Sequence, residues 1–174
     1  MVLVFCENDK RRKDRTDLLV VDAIVSAVMI EALRKEVNKF MSLEENKELL
    51  ISVFTAIEQR NDKGFAELLH PDFEIHWPPS LPYGSGKGRT WSDIWHPLQP
   101  TAEERRMDPH IVGSNEHEVV VLWRQRGLSP SGERFDAEVL GLYQIRDGKL
   151  ARAQMFYFDT AAVTTFLARS MDQK

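Results

Sequence analysis

The sequence is poor in several things that would point to a function. It has one cysteine, Cys6, so no disulfide can form within the chain. A lone thiol fits a reducing compartment, and nothing in the sequence places a base beside it. Net charge is only −4, which argues against a nucleic-acid partner. The one local exception, Lys10-Arg11-Arg12-Lys13-Asp14-Arg15, is the kind of basic run that is usually solvated. Long apolar runs are missing too. Leu18–Ile30 imitates a signal peptide, but Asp22 interrupts it and the basic run lies well inside the chain. The block also falls short of the roughly 20 apolar residues that span a bilayer. These absences describe a cytoplasmic protein with no membrane partner and no nucleic-acid partner. The five histidines lack metal-ligand spacing, so no metal and no cofactor is expected. No internal repeat or low-complexity tract occurs.

What remains is ordinary globular composition, 43% hydrophobic and 29% charged over 174 residues, enough for one domain with a real core. Residues 1–16 read as a disordered lead. Residues 17–40 read as a helix capped by Thr16 or Asp17, narrowing to Leu33, Val37 and Phe40. Met41-Ser42-Leu43-Glu44-Glu45 then looks like a fresh N-terminus. The chain therefore divides into an extension, 1–40, and a domain, 41–174.

In the domain, Ser42 and Glu45 form a capping box for a helix that carries Leu43, Leu50, Val53, Phe54 and Ile57 on one face. Asp62 reads as the cap of a short helix stopped by His70-Pro71. Phe73, Ile75 and Trp77 alternate with Glu74 and His76, as in a strand. Gly84, Gly86, Lys87 and Gly88 invite a phosphate cradle, but position 81 is Leu where a P-loop needs Gly. A short helix follows near Trp91–Leu98, then a charged, exposed stretch at 101–106. Strands are expected at Asp108–Val112 and Glu118–Arg126, with a turn at Asn115-Glu116. Val139–Arg146 and Lys149–Phe158 form a hairpin around Asp147-Gly148, a pair that tolerates the positive φ of two-residue turns. The order of elements is an α+β pattern.

Several segments stand in a telling order and spacing: Ile57–Asp62 leading into Phe65 and Leu68-Leu69, His70-Pro71-Asp72 before Trp77-Pro78, Leu81–Gly84 with Gly88, Ser131-Gly132, Arg146–Leu150, and Tyr157–Asp159. Together they resemble the nuclear transport factor two-like superfamily, in its SnoaL-like and ketosteroid-isomerase-related branch. The resemblance covers about residues 43–170. It implies a cone-shaped roll of helices on a curved, mostly antiparallel sheet around an apolar pocket, with dimers formed through the outer sheet face. Strand parity agrees, since Gly141, Tyr143, Ala153, Met155 and Tyr157 share one face and Leu140, Leu142, Phe156 and Phe158 the other. Both faces are apolar, so a homodimer is expected.

The catalytic set of ketosteroid isomerase does not carry over. Its general base falls at Trp77, its oxyanion tyrosine at Val53 and its protonated aspartate at Gly141. The acid/base aspartate of SnoaL-type cyclases falls at Met155. Asp159 is the nearest carboxylate on the pocket parity. It reads either as an acid/base group assisted by Tyr157 or as a helix N-cap. Trp77, Tyr83, Trp123, Tyr143 and Met155 read as core and ligand-binding wall. His96, beside Trp91 and Trp95, reads as a helix-end histidine that could reach the pocket mouth. His76 points away from the Trp77 side. Arg124 and Arg126 share a strand face and read as exposed or paired, with Glu133 or Asp136 as partners, or else as contacts for an anionic ligand. Three functions stay open: an enzyme moving protons or hydrolysing a small hydrophobic substrate, a non-catalytic binder of such a molecule, or a dimeric accessory module.

Overall fold

A computed structural model describes residues 26–36, 43–83 and 91–171. The chain forms two compact units, Met1–Ser42 and Leu43–Lys174. In the first, helix α1 covers 26–36. The expected extent of that helix beyond 26–36, the disordered lead with Cys6 and the basic run, the Ser42 cap and most of the glycine-rich loop lie outside the described residues. No helix among the described residues is long and apolar enough to cross a membrane.

The second unit begins with α2, residues 43–58. Its Leu50, Val53 and Phe54 face inward and are buried against the sheet. Burial of such side chains contributes about 1.5–3 kcal/mol each. The helix closes with Asn61 N–H donating to Ala56 O and Arg60 N–H to Ile57 O. That pair of bonds requires a left-handed residue at the helix end, and Arg60 supplies it at φ 53°. Glycine is the usual occupant.

Helix α3 runs Asp62–Leu68, and its cap is Asn61, whose Oδ1 accepts from Gly64 N–H at 3.0 Å. The expected Asp62 cap is thus displaced by one residue, because the neighbouring Asn offers the same acceptor. Strand β1, Leu69–His76, starts earlier than expected and runs through Pro71. It is tolerated because β1 is an edge strand, where a missing N–H removes no ladder bond. Helix α4 (Trp91–Trp95) passes into a 3₁₀ turn at His96–Leu98. The stretch expected to be exposed at 101–106 holds a short helix, α5 (Ala102–Arg105). Thr101 and Glu104 make a reciprocal capping box there, which leaves Glu104 only 4% exposed.

Strands β2 (His110–Ser114), β3 (Glu118–Leu128), β4 (Arg134–Arg146) and β5 (Lys149–Tyr157) follow, then α6 (Thr160–Met171). The sheet order is β1-β5-β4-β3-β2, with β1 parallel to β5 and the other pairs antiparallel. The β4–β5 turn has Asp147 at φ 53° and Gly148 at φ 68°, as its two residues require. Parity sorts the faces. Val119, Val121, Trp123, Val139, Tyr143, Ala153 and Met155 are buried, whereas Phe156 is 44% exposed and Phe158 69%. Arg124 and Arg126 converge on Asp136 at 2.7 and 3.3 Å, and Arg126 also holds Asp108 at 2.6 Å. Glu133 pairs with Arg169 instead.

Two apolar clusters fill the unit. One lies between α2 and the inner sheet face. The other gathers Leu81, Tyr83, Ile94, Trp95 and Leu98 with Val163, Phe166 and Leu167 of α6. Trp77 and Tyr157 touch both.

Candidate functional site

A cavity of about 550 Å³ opens where the two clusters meet. Helix α2 gives it Val53, Phe54 and Ile57; the sheet gives it Trp123, Tyr143, Ala153 and Met155. The segment after β1 adds Trp77 and Tyr83, and α4 adds Trp91. All five residues expected as ligand wall, Trp77, Tyr83, Trp123, Tyr143 and Met155, therefore line one space.

The walls are aromatic and held by one another. Trp77 meets Tyr83 edge-on at 4.9 Å and lies parallel to Trp91, with centroids 6.4 Å apart. Phe54 packs edge-on to Tyr143 at 5.8 Å. Tyr143 can lie where it does because position 141 is glycine: a β-carbon there would come 2.5 Å from the Tyr143 Oη.

Indole N–H groups at and beside the wall differ in their partners. Trp91 Nε1 donates to Gln125 Oε1 at 3.0 Å, and Trp95 Nε1 to Tyr83 Oη at 2.8 Å. Tyr143 Oη reaches only a sulfur, Met155 Sδ, at 3.7 Å. Trp123 is 2% exposed, and its Nε1 makes no well-formed hydrogen bond among the described residues. It lies beside the Tyr143 hydroxyl without the alignment of a hydrogen bond. Leaving a buried donor unpaired costs about 1–3 kcal/mol. Burial pushes the Tyr83 hydroxyl up to about 12 and also raises the Tyr143 and Tyr157 hydroxyls, so all three stay protonated.

Tyr157 is displaced from the expected arrangement. It is packed behind the wall, against Trp77 at 6.4 Å, Tyr83 at 6.3 Å and Trp123 at 6.4 Å, and is not part of the lining. Its buried hydroxyl has no well-formed hydrogen bond. Tyr157 is the last residue of β5 and packs against both apolar clusters, the second of which contains Val163, Phe166 and Leu167 of α6. Asp159 lies outside the cavity. It is exposed, and its Oδ1 accepts from the Ala162 N–H at 2.8 Å, so it is the N-cap of α6. His76 is exposed and sits 3.0 Å from Glu74, on the side expected of it.

The mouth contains groups the sequence did not bring together: Arg60, Asp62, Ser92 and His96. Arg60 Nη2 donates to His96 O at 2.8 Å and Gln99 O at 2.7 Å, tying the end of α2 to the 3₁₀ turn. The His96 ring meets Trp91 edge-on at 6.4 Å. Burial, then the Arg60 charge, lowers the His96 pKa below its ordinary 6.5, opposed by Asp62 and Asp93. A sequence signal existed for His96 in its two tryptophan neighbours. None existed for Arg60, and Asp62 read only as a helix cap. No group of three or more histidine, cysteine, aspartate or glutamate side chains able to hold a metal occurs among the described residues.

A family model described as a SnoaL-like domain matches residues 51–153. No curated protein sequence matches the chain. Among solved structures, TerC co-crystallised with polyporic acid superposes with a TM-score of 0.58 at 20% identity, over 71% of this chain and 98% of that one. An NTF2-like protein from Burkholderia pseudomallei gives 0.56 at 23% identity, over 71% and 97%. A candidate polyketide cyclase from Xanthomonas campestris gives 0.51 at 16% identity, over 74% and 98%. These likenesses establish the nuclear transport factor two-like fold.

Proposed function

The chain belongs to the SnoaL-like domain family, and from that premise we propose that its cavity receives a small, flat, mostly apolar molecule bearing a carbonyl or phenolate oxygen. The carrying observation is the mostly apolar and aromatic lining, in which the buried Trp123 Nε1–H has no well-formed partner. An apolar space with a few convergent polar atoms is what small-molecule sites generally offer. A cavity of about 550 Å³ suits a bicyclic or tricyclic skeleton. TerC, a neighbour of the same fold, was co-crystallised with polyporic acid.

Turnover of that ligand by proton transfer is the favoured form of the reading. A non-catalytic binder is the second reading, favoured by the apolar Val53, Trp77 and Met155 in the lining, at positions where the family resemblance would put catalytic groups. We also place a second copy of the chain on the outer sheet face, and take residues 1–40 as an extension that the domain folds without. Expression from Met41 tests the last point, with a cooperative unfolding transition expected.

2-Tetralone and tetralin test the ligand reading, since they share a skeleton and differ by one carbonyl. The wild-type chain should bind 2-tetralone about fivefold more tightly, as one hydrogen bond contributes about 1 kcal/mol. Trp123→Phe should abolish the preference while still binding both. Equal binding of the two compounds by the wild-type chain would refute the role given to Trp123.

A further inference from the structure

Resting on the ligand reading above, we propose that His96 is the catalytic base of the cavity, taking a proton from the carbon next to the bound ligand's carbonyl and returning it. The C–H bond breaks as an N–H bond forms on the imidazole. The C–H pair becomes a carbon–carbon π bond, and the carbonyl π pair moves onto oxygen. Trp123 Nε1–H donates to the enolate oxygen so formed. Delivery of the proton from the imidazolium back to carbon closes the cycle, so no oxidant or second reactant is required.

Elimination among the lining residues leads to this histidine. Five of them carry titratable groups: Arg60, Asp62, Tyr83, His96 and Tyr143. Arginine keeps its proton at any working pH. The two tyrosines are held protonated by burial and serve as donors. Asp62 lies in the first turn of α3 and is exposed to water. His96 is half-buried, at the polar end of an apolar space, with Trp91 edge-on to its ring. That is a site for a base whose neutral form must be present before the ligand arrives.

Its position is imposed. Pro97 stiffens the 3₁₀ turn just after it, and Arg60 clamps the turn through two carbonyls. Arg60 does so from a left-handed backbone that would suit glycine better, so the arginine side chain is worth keeping there against a local cost. Charged groups facing His96 are Arg60 from the end of α2, Asp62 from α3 and Asp93 from α4. Burial and Arg60 outweigh the two carboxylates and leave the imidazole neutral at neutral pH. Arg60 is thus a positioning residue that also tunes the base.

The test follows exchange of the C1 protons of 2-tetralone in D₂O by NMR, with binding read separately by thermal shift. The wild-type full chain should exchange them faster than buffer, at a rate rising with pH to a plateau whose midpoint lies below 6.5. His96→Gln should bind 2-tetralone within about twofold of wild type and lose about 100-fold or more of the exchange rate. Arg60→Gly suits the left-handed backbone and should move the midpoint upward by removing a neighbouring positive charge. Wild-type binding with exchange at the buffer rate, or full exchange by His96→Gln, would overturn the assignment. An unmoved midpoint in Arg60→Gly would remove Arg60 from it. Absence of 2-tetralone binding would instead defeat the underlying ligand reading, and the thermal shift reports that alone.

Discussion

The ring of Tyr143 folds back across the α-carbon of Gly141, two residues earlier on the same strand, so closely that a β-carbon at 141 would stand 2.5 Å from its Oη. The relationship couples a strand glycine to the cavity wall. Gly141→Ala should force Tyr143 to another rotamer and costs about 1–3 kcal/mol, as overpacking does. A lowered melting temperature together with weakened 2-tetralone binding is expected. An unchanged melting temperature would show that the ring moves aside freely.

Asp159 should behave as a cap and nothing more. Asp159→Ala removes the acceptor of the Ala162 N–H and should cost about 1 kcal/mol in chemical denaturation. Asp159→Asn keeps an acceptor and should cost much less. Loss of proton exchange in Asp159→Asn with stability intact would return Asp159 to the chemistry.

Glu104 should make the fold sensitive to acid. Hydrogen bonds from Thr101 are the largest reason its carboxyl titrates below the ordinary 4.5, with the Arg134 charge adding to them. A carboxylate depressed in the folded state stabilises fully above its unfolded pKa and loses that contribution as pH falls through the folded one. The stability difference between wild type and Glu104→Gln should therefore be positive at pH 7 and shrink below about 4.5. A difference that stays constant from pH 7 to pH 3 would contradict the carboxylate's role.

The outer sheet face should be the seat of a second copy. Phe156 lies directly across from Leu140 on β4, which in turn is paired with Leu122 on β3, giving a continuous apolar strip. Phe156 is 44% exposed in the single chain. Exposed apolar patches of this kind mark association sites. Light scattering should give a dimer for wild type and a monomer or aggregate for Phe156→Asp, since a buried unpaired charge is costly. A wild-type monomer at high concentration would refute the interface.

The sequence by itself determined the sheet and its sidedness. Strand parity fixes which side chains face in, because successive residues point to opposite faces. Tyr143, Met155 and Trp123 could hence be assigned to the inner face from spacing alone. Asp147-Gly148 fixed the β4–β5 register, since few other pairs accept that turn. The tertiary structure decided the rest. Periodicity stops being informative where a strand ends, so Tyr157 and Asp159, correct in parity, turned out behind the wall and outside it. The mouth is assembled from Arg60 and His96, 36 residues apart, through a guanidinium–carbonyl bond. Such a bond uses a backbone acceptor that every residue carries, and therefore leaves no trace in residue type. Whether a polar atom is left unpaired, as at Trp123 Nε1, is likewise a property of its neighbours in space rather than of the residue itself.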